Sequence, residues 1–431
     1  MSAGTVETVS VSQELAHTES REARRQRLST GVLVAIVGVL LVYLTFQSTG
    51  VSVFALSNAF DDIQLPAITV PAMPTVGFAA LVTLLAAAGF LSGRLSKRWT
   101  ALAATLAGIA VIVGFLTWAA ADRGQPFALS AQFNGTLAVA TPLVLGALAG
   151  VLCERAGVVN VAIEGQMLTA AFTAAVVGSI TQSVTAALIA AMLAGLVMAA
   201  LLALFAIKYL VDQVVLGVVI NLLASGMTGF IFDQLVQPNS ATLNQSVIMQ
   251  KIPIPLLESI PFFGPVLFNQ TVLVYIAFLS VVLVWFLLFR TKWGLRVRAV
   301  GEHPEAADTV GINVHGVQWS AVLVGGLFAG LGGASFTIGV TGSFTKDITV
   351  GYGFIALAAL IMGRWNPVLA ALMAIFFGFV TQMAQQLQSI NTPVPSQFLL
   401  MLPYIATIIA VAGLVGRVRA PAHDGVPYVK E

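Results

Sequence analysis

The chain has 431 residues, of which 58% are hydrophobic and 9% are charged, and its formal net charge is +2. Soluble domains carry about 25% charged residues, so this composition excludes a soluble globular protein and predicts a polytopic membrane protein. The Gly-Lys dipeptide of a phosphate-binding loop does not occur, and the single cysteine, Cys153, excludes an intrachain disulfide. We therefore expect no cofactor or metal bound by this chain, and no nucleic acid partner.

Residues 1–28 are polar, and four arginines lie just before the first apolar run. This pattern predicts a disordered cytoplasmic tail, because basic residues next to membrane spans remain inside the cell. The alternative is a signal peptide with a weak cleavage site at Val53-Phe54-Ala55. The long apolar run and the spans that follow favour an uncleaved anchor.

Apolar runs predict an all-α polytopic membrane protein with about 10–12 transmembrane helices and no β domain. The count is open because the run at 352–363 is too short to cross about 30 Å of hydrocarbon at 1.5 Å per residue. That run is either re-entrant or continuous with a neighbouring span. The predicted spans are 31–46, 75–92, 100–121, 134–153, 165–182, 184–207, 213–232, 271–289, 317–340, 352–363, 366–389 and 398–416.

The basic residues predict the orientation of these spans. If the N-terminus is inside the cell, all of the 20 basic residues except Arg123, Lys251 and Lys346 fall on the cytoplasmic side. Both termini are then predicted to be cytoplasmic. The longest outer loop, 233–270, contains four prolines and is either a simple connection or a docking surface.

The most densely charged interior segment, residues 290–316, lies between two predicted spans. Its first half carries four basic residues and its second half three acidic ones, so it is expected in water on the cytoplasmic side. A short helix is predicted from Pro304 to Val310, with proline in the first turn and Gly311 as the stop signal. The segment is either a solvated topology marker or a helix that docks to a partner.

Three polar residues, Asn160, Glu164 and Gln166, follow the predicted inner boundary at Glu154-Arg155. Asn160 and Glu164 are four residues apart, which predicts one shared helical face. A carboxyl group near the membrane suggests a functional site, with Arg155 as the nearest candidate partner. A proton relay and hydrogen bonding to interrupted backbone are both open, and one acidic group favours the second.

A second stretch, 351–367, again joins a short glycine-bounded helix to a polar turn that contains Asn366. Paired interrupted helices in two halves of a chain often mark a transport path. The candidate residues for the translocation path or for helix breaks are Asn160, Glu164, Gln166, Asn221 and Asn366.

Two motifs resemble the permease subunits of bacterial ABC importers in the simple-sugar and nucleoside branch, above all the guanosine-type nucleoside permeases. The first is Glu154-Arg-Ala-Gly-Val-Val-Asn-Val-Ala-Ile-Glu-Gly165, in which Val161-Ala162-Ile163 replaces the usual triplet with a central glycine. The second is the run from Gly294 to Asn313, with His303 where asparagine is common. The resemblance covers about 134–416. Residues 29–133 are then an additional N-terminal transmembrane segment, and 417–431 a cytoplasmic tail.

The resemblance implies a permease subunit for nucleosides in the bacterial plasma membrane. Its expected partners are a separate ABC ATPase, a second homologous permease (or a second copy of this chain) and an extracytoplasmic binding lipoprotein. The 290–316 segment would carry the coupling helix. Glu305-Ala306-Ala307 and Gly311 also resemble the importer "EAA…G" motif, although its downstream Ile-x-Leu-Pro is absent. The residues assigned to coupling are Arg298, Gly301, Glu302, Glu305, Ala306, Ala307 and Gly311.

Other functions stay open at this stage. The substrate of an ABC permease of this type is alternatively a simple sugar. A proton-coupled secondary transporter is the second alternative, against which the scarcity of deep acidic residues argues. An intramembrane enzyme lacks support because no HExxH or GxSxG motif lies within a span. The chain is thus expected to be a transport subunit, with ATP hydrolysis in another chain.

Overall fold

The computed structural model describes residues 21–57, 63–392, 394–409 and 419–430. These residues are mainly helical, and ten of their helices are long and apolar enough to cross a membrane. The predicted all-α polytopic fold is confirmed. The helices are α1 Arg21–Gln47, α2 Ala72–Ser92, α3 Lys97–Ala120, α4 Leu129–Glu154, α5 Ile163–Thr181, α6 Val184–Ala203, α7 Gln213–Ile231, α8 Ser240–Leu243, α9 Phe263–Leu267, α10 Val272–Arg290, α11 Lys292–Glu302, α12 Pro304–Thr309, α13 Val314–Phe336, α14 Tyr352–Met362, α15 Pro367–Ser389 and α16 Ser396–Ile409.

Three of these helices continue into a single π-helical turn. The turns are Leu204–Lys208 after α6, Phe232–Val236 after α7 and Thr337–Thr341 after α13. Each of the twelve predicted spans coincides with a helix, although the last, 398–416, is described only as far as residue 409. One expectation changes: the first half of the charged segment is the regular helix α11 and not a loop.

Short strands lie between some of the helices: β1 Val51–Ala55, β2 Ile68–Pro71, β3 Phe127–Ala128, β4 Lys251–Pro253 and β5 Asn269–Thr271. Strands β1 and β3 are parallel, with Phe54 opposite Phe127. Strands β4 and β5 form an antiparallel pair within the predicted outer loop 233–270.

The chain divides into two compact units, one of residues 1–52 with 70–122 and one of residues 53–69 with 123–431. In the first unit α1 packs on α2 through buried Leu41, Leu44, Val76 and Ala80. Helix α1 begins at Arg21, so residues 21–28 of the predicted tail are helical. Residues 1–20 lie outside the described residues.

Helix α4 is central to the second unit, because 89% of the residues in its apolar, membrane-spanning part are buried inside the protein. Helix α13 lies against α4, α5 and α6 through glycines, as the frequency of glycine in its sequence predicts. A Cβ at Gly325 would lie 2.8 Å from the Ala149 carbonyl oxygen, and one at Gly330 would lie 2.5 Å from that of Ala191. Only glycine permits these backbone contacts, which hold the helices in fixed positions.

A non-helical segment, residues 342–351, connects the end of α13 to the start of α14; we name it the re-entrant segment. At its start, the Phe344 N–H donates a 2.7 Å hydrogen bond to the Asn244 side chain. At its end, the Thr349 hydroxyl donates a 2.6 Å bond to Glu164 in the first turn of α5. The segment therefore runs back alongside α5, and this is why α14 has only 11 residues.

Candidate coupling and translocation sites

Helix α12 has the form that the sequence predicts, with Pro304 at its first position and Gly311 at φ +83° after its end. It ends at Thr309, one residue earlier than expected. Pro304 and Ala307 are buried, whereas Glu305 and Ala306 are exposed. One side of α12 is thus anchored to the protein, and the opposite side presents a carboxylate and a methyl group to solvent.

The end of α11 rests directly on the turn that follows α4. A Cβ added to Gly301 would overlap the Arg155 carbonyl group, so glycine is required for this approach. Gly157 in the same turn has φ +84°, a conformation that favours glycine. The guanidinium of Arg298 lies 5.1 Å from the centre of the Phe289 ring. The motif residues Gly301 and Arg155 therefore meet at one backbone contact.

The C-terminal residues 419–430, which we name the C-terminal strap, pack across this contact. The sequence assigns them only to a cytoplasmic tail. Their backbone amides donate three hydrogen bonds, from Ala422 to the Glu302 carboxylate (3.2 Å), from His423 to the Gly301 carbonyl (3.0 Å) and from Gly425 to the Gly157 carbonyl (3.3 Å). The strap thus joins α11 to the turn after α4.

Tyr428 of the strap occupies a small apolar cluster beneath α12. Its side chain is 7% exposed and packs with Val300, Ala307 and Val314. Lys430 forms a 3.1 Å ion pair with Asp308, and this bond lowers the pKa of the Asp308 carboxyl. Tyr428 therefore packs against the buried side of α12, and the exposed Lys430–Asp308 ion pair fixes the C-terminal end of this helix.

The acidic residue of the strap itself, Asp424, is in a different environment from Asp308. Its Oδ1 atom is buried and has no hydrogen-bond partner among the described residues. Burial raises the pKa of Asp424 to about 7, because a charged carboxylate is poorly solvated there. The strap therefore contains a carboxyl group whose burial favours its protonated form.

The turn after α4 also contacts the turn between α14 and α15. The Trp365 indole N–H donates a 2.5 Å hydrogen bond to Glu154, and Arg155 Nε donates a 2.9 Å bond to the Trp365 carbonyl. Asn366 accepts hydrogen bonds from the amides of Val368 and Leu369, so it caps α15. The turn that follows Glu154-Arg155 and the turn that contains Asn366 are therefore in contact. Asn366 itself lies at the start of α15.

Asn160 and Gln166 form a fully buried pair joined by side-chain hydrogen bonds of 3.2 and 3.4 Å. The expectation that Asn160 and Glu164 share one helical face is wrong, because α5 begins only at Ile163 and Asn160 lies in the preceding turn. Asn221 of α7 braces the same turn: it accepts from the Gly165 amide at 2.8 Å and donates to the Val161 carbonyl at 3.0 Å.

Glu164 binds the start of α14. Its carboxylate accepts hydrogen bonds from the Thr349 hydroxyl (2.6 Å), the Gly351 amide (2.9 Å) and the Gly353 amide (2.6 Å). Arg155, the candidate partner suggested by the sequence, bonds to the Trp365 carbonyl instead. A helix start exposes unpaired N–H groups and the positive end of the dipole, so these donors suit a carboxylate.

Two charged residues of the re-entrant segment, Lys346 and Asp347, contact α7 and are not among the candidates that the sequence indicates. Asp347 accepts a 2.7 Å hydrogen bond from Ser225 of α7, and Lys346 forms a 2.6 Å ion pair with Asp233 just beyond α7. Both were assigned to an outer loop, as simple alternation of spans requires. The four-residue spacing of Asn221, Ser225, Gly229 and Asp233 was the available signal, because it predicts one polar face on α7.

Residues 132–412 match the family model described as the branched-chain amino acid transport system / permease component. The chain belongs to this permease family. It is 42% identical over 315 residues to the guanosine ABC transporter permease protein NupQ of Bacillus subtilis, covering 70% of this chain and 97% of that protein. It is 38% identical over 304 residues to the nucleoside ABC transporter permease protein NupC of Lactococcus lactis, covering 68% and 95%.

A putative glucose ABC transporter permease protein of Haloferax volcanii is 32% identical over 302 residues, covering 66% of this permease and 91% of that protein. No solved structure matches the permease significantly. Family and relatives are transport components, so this chain is a transport subunit and not an enzyme. It is a multi-pass membrane protein, as its ten long apolar helices indicate.

Proposed function

We propose that this chain is the permease subunit of an ABC importer that carries nucleosides across the bacterial plasma membrane, with both termini in the cytoplasm. A separate ATPase subunit hydrolyses ATP and docks on α12. A second homologous permease, or a second copy of this chain, completes the membrane channel, and an extracytoplasmic lipoprotein delivers the substrate. Residues 134–416 form the permease domain, and 29–133 an additional transmembrane segment.

One observation carries the proposal: α12 is an exposed helix with a rigid connection to the membrane-embedded helices. Its exposed residues Glu305 and Ala306 are free to enter a groove of a partner, and a charge beside a small residue suits such a groove. Its buried side contacts the apolar cluster around Tyr428. A force on α12 is therefore transmitted to α11 and to the turn after α4.

The same turn leads to the interrupted helices. From Arg155 and Gly157 it continues to Asn160 and then to α5, whose Glu164 holds the start of α14. Closure of two ATPase subunits would move α12 and rock these helices, which gives alternating access. In this proposal the coupling residues transmit the motion of α12. The buried side-chain amides of Asn160 and Gln166 keep the turn after α4 rigid.

Nucleoside is the preferred substrate because two relatives of high coverage are named for guanosine or nucleoside transport. A simple sugar is the second candidate, since a relative named for glucose transport is 32% identical. Both substrate classes present a ring with several hydroxyl groups. Competition for uptake between labelled guanosine, other nucleosides and glucose distinguishes them.

Uptake of labelled guanosine tests the energy source. Cells that express this permease with its partner subunits should lose uptake on ATP depletion and retain it with a protonophore. Glu305→Arg should reduce uptake at least about tenfold, because the reversed charge opposes docking. Glu305→Gln is the matched control and should keep most activity. Uptake abolished by the protonophore alone, with Glu305→Arg active, would refute the proposal.

A further inference from the structure

The re-entrant segment places a carboxyl side chain level with the middle of α7, which is long and apolar enough to cross a membrane. Helix α7 with its π-turn spans Gln213–Val236, which is 24 residues. Ser225 is twelve residues after Gln213 (225 − 213), or about 18 Å along the helix axis. Asp347 binds Ser225 at 2.7 Å, so the Asp347 carboxylate lies at the same depth.

Asp347 is exposed on the surface of the permease unit and is not packed in its core. Ser225 engages one carboxylate oxygen, and the other has no hydrogen-bond partner among the described residues. An ionised group and non-helical backbone at membrane depth are tolerated only inside protein or against a water-filled cavity. Lipid is therefore excluded as the neighbour of this surface, which faces either a water-filled path or another protein chain.

The surroundings of Asp347 extend this polar surface. On α7, Ser225, Gly229 and Asp233 follow one another at four-residue spacing, and a Cβ at neighbouring Gly226 would have open space around it. Four residues after Asp347 in the chain, Gly351 lies close to Phe354 and Tyr404, which are each 49% exposed. Two accessible aromatic rings thus lie near the end of the segment that carries the carboxylate.

We propose that this surface lines the translocation path, and that the open oxygen of Asp347 accepts hydrogen bonds from the sugar hydroxyls of a passing nucleoside. The inference rests on the proposed function and assigns substrate contacts within it. A carboxylate pairs well with a vicinal diol because it accepts two hydrogen bonds. Phe354 and Tyr404 offer faces on which a base can stack, since every base has a π-face.

Transport kinetics separate substrate contact from a structural role. Asp347→Asn keeps an oxygen that accepts from Ser225 but loses the charge, so uptake should fall about tenfold to a hundredfold. Ser225→Ala breaks the bond that holds the loop and keeps the carboxylate, so uptake should fall less than about threefold. A structural role of the bond predicts the reverse order, and that result would overturn the proposal.

Thiol labelling tests whether the surface is wet and meets substrate. In a Cys153→Ala background that retains uptake, Ser225→Cys should react with a membrane-impermeant methanethiosulfonate reagent, since the thiolate forms only in water. Leu279→Cys on the apolar face of α10, where Leu279 is 67% exposed, is the lipid-facing control and should react at least about tenfold more slowly. Guanosine should slow the reaction at position 225, and Asp347→Asn should remove this protection.

An unreactive Ser225→Cys, or a reactive one that guanosine does not protect, would overturn the inference. If the wild-type permease with its partner subunits takes up no nucleoside, the proposed function fails instead. The two failures are distinguished because uptake by the wild type is measured alongside the labelling.

Discussion

Two carboxylates of the permease lie in or against the re-entrant segment, and their hydrogen bonding differs. Both oxygens of Glu164 are engaged, because the group accepts hydrogen bonds from the Thr349 hydroxyl and from two backbone amides. Asp347 accepts one hydrogen bond, from Ser225, and is exposed. Glu164 uses both of its oxygens in hydrogen bonds within the fold, and it therefore holds α5 to the start of α14. A carboxylate with an unused oxygen is available to a ligand.

The same contrast occurs at the C-terminal strap, between Asp308 of α12, which the strap contacts, and Asp424 of the strap itself. Asp308 is paired with Lys430, and this bond lowers its pKa. Asp424 has a buried oxygen without a partner in the described residues, and burial raises its pKa to about 7. The partnered group contributes to a fixed contact, and the unpartnered group makes its contact sensitive to pH.

The largest effect on stability is expected at Glu164. Glu164→Gln replaces one acceptor oxygen by an NH₂ group that faces an N–H donor, so the start of α14 loses charge-assisted bonds. We expect a loss of roughly 3 kcal/mol in unfolding free energy. Thermal unfolding of the purified permease in detergent measures it. Asp347→Asn is the comparison variant, and equal destabilisation by both would remove the distinction between the two carboxylates.

A somewhat smaller loss is expected from Gly353→Ala. The added Cβ would lie 2.5 Å from the Glu164 Cα atom, so α14 must move away from α5. Overpacking of this kind costs roughly 2 kcal/mol. Gly226→Ala on the open face of α7 is the matched control, because nothing lies within 4 Å of its Cβ. The same unfolding assay should show no loss for this control, and a loss there would contradict the assignment of an open surface.

Tyr428→Ala should loosen the strap without unfolding the membrane helices. The ring fills the cluster beneath α12, so its removal should raise amide hydrogen exchange in residues 419–430 roughly tenfold. Tyr428→Phe keeps the ring and should retain most of the protection. Uptake should fall with the alanine variant if the position of α12 matters for coupling. Unchanged exchange with alanine would show that the ring does not hold the strap.

The effect of pH on docking of the strap should be smaller than the effect of Tyr428→Ala. Because the docked pKa of Asp424 is raised to about 7, the docked form binds more protons than the released form between the ordinary aspartate pKa and 7. Docking should therefore weaken as pH rises from about 5 to 7 and change little above that. Hydrogen exchange of the strap as a function of pH tests this. Asp424→Asn should abolish the trend, and a trend that persists would assign it to another group.

Much of the fold follows from local sequence signals. Apolar runs predict the twelve helices that coincide with the predicted spans, and Pro304 and Gly311 predict α12 to within one residue at its end. These features depend on hydropathy and on the backbone limits of two residue types, which act locally. The partners of Glu164 depend instead on a contact between residues 164 and 353, and hydropathy contains no information on such pairing.

The re-entrant segment shows why the contacts of Lys346 and Asp347 with α7 could not be predicted from the sequence. Lys346 and Asp347 have the composition of a loop, and alternation of spans assigns such a loop to the membrane surface. The Phe344 amide donates a hydrogen bond to Asn244 at one end, and the Thr349 hydroxyl donates one to Glu164 at the other, so the segment lies alongside α5. The strap was missed for the same reason, because its residues dock through backbone amides, which every sequence possesses.

The most direct test of the proposed coupling is ATP hydrolysis by the reconstituted importer with its binding lipoprotein. Guanosine should stimulate hydrolysis with the wild-type permease and with Glu305→Gln. Glu305→Arg should abolish the stimulation and weaken co-purification of the ATPase subunit, because α12 is the proposed docking surface for that subunit. Full stimulation and normal co-purification with Glu305→Arg would contradict the account and leave α12 as a marker of topology alone.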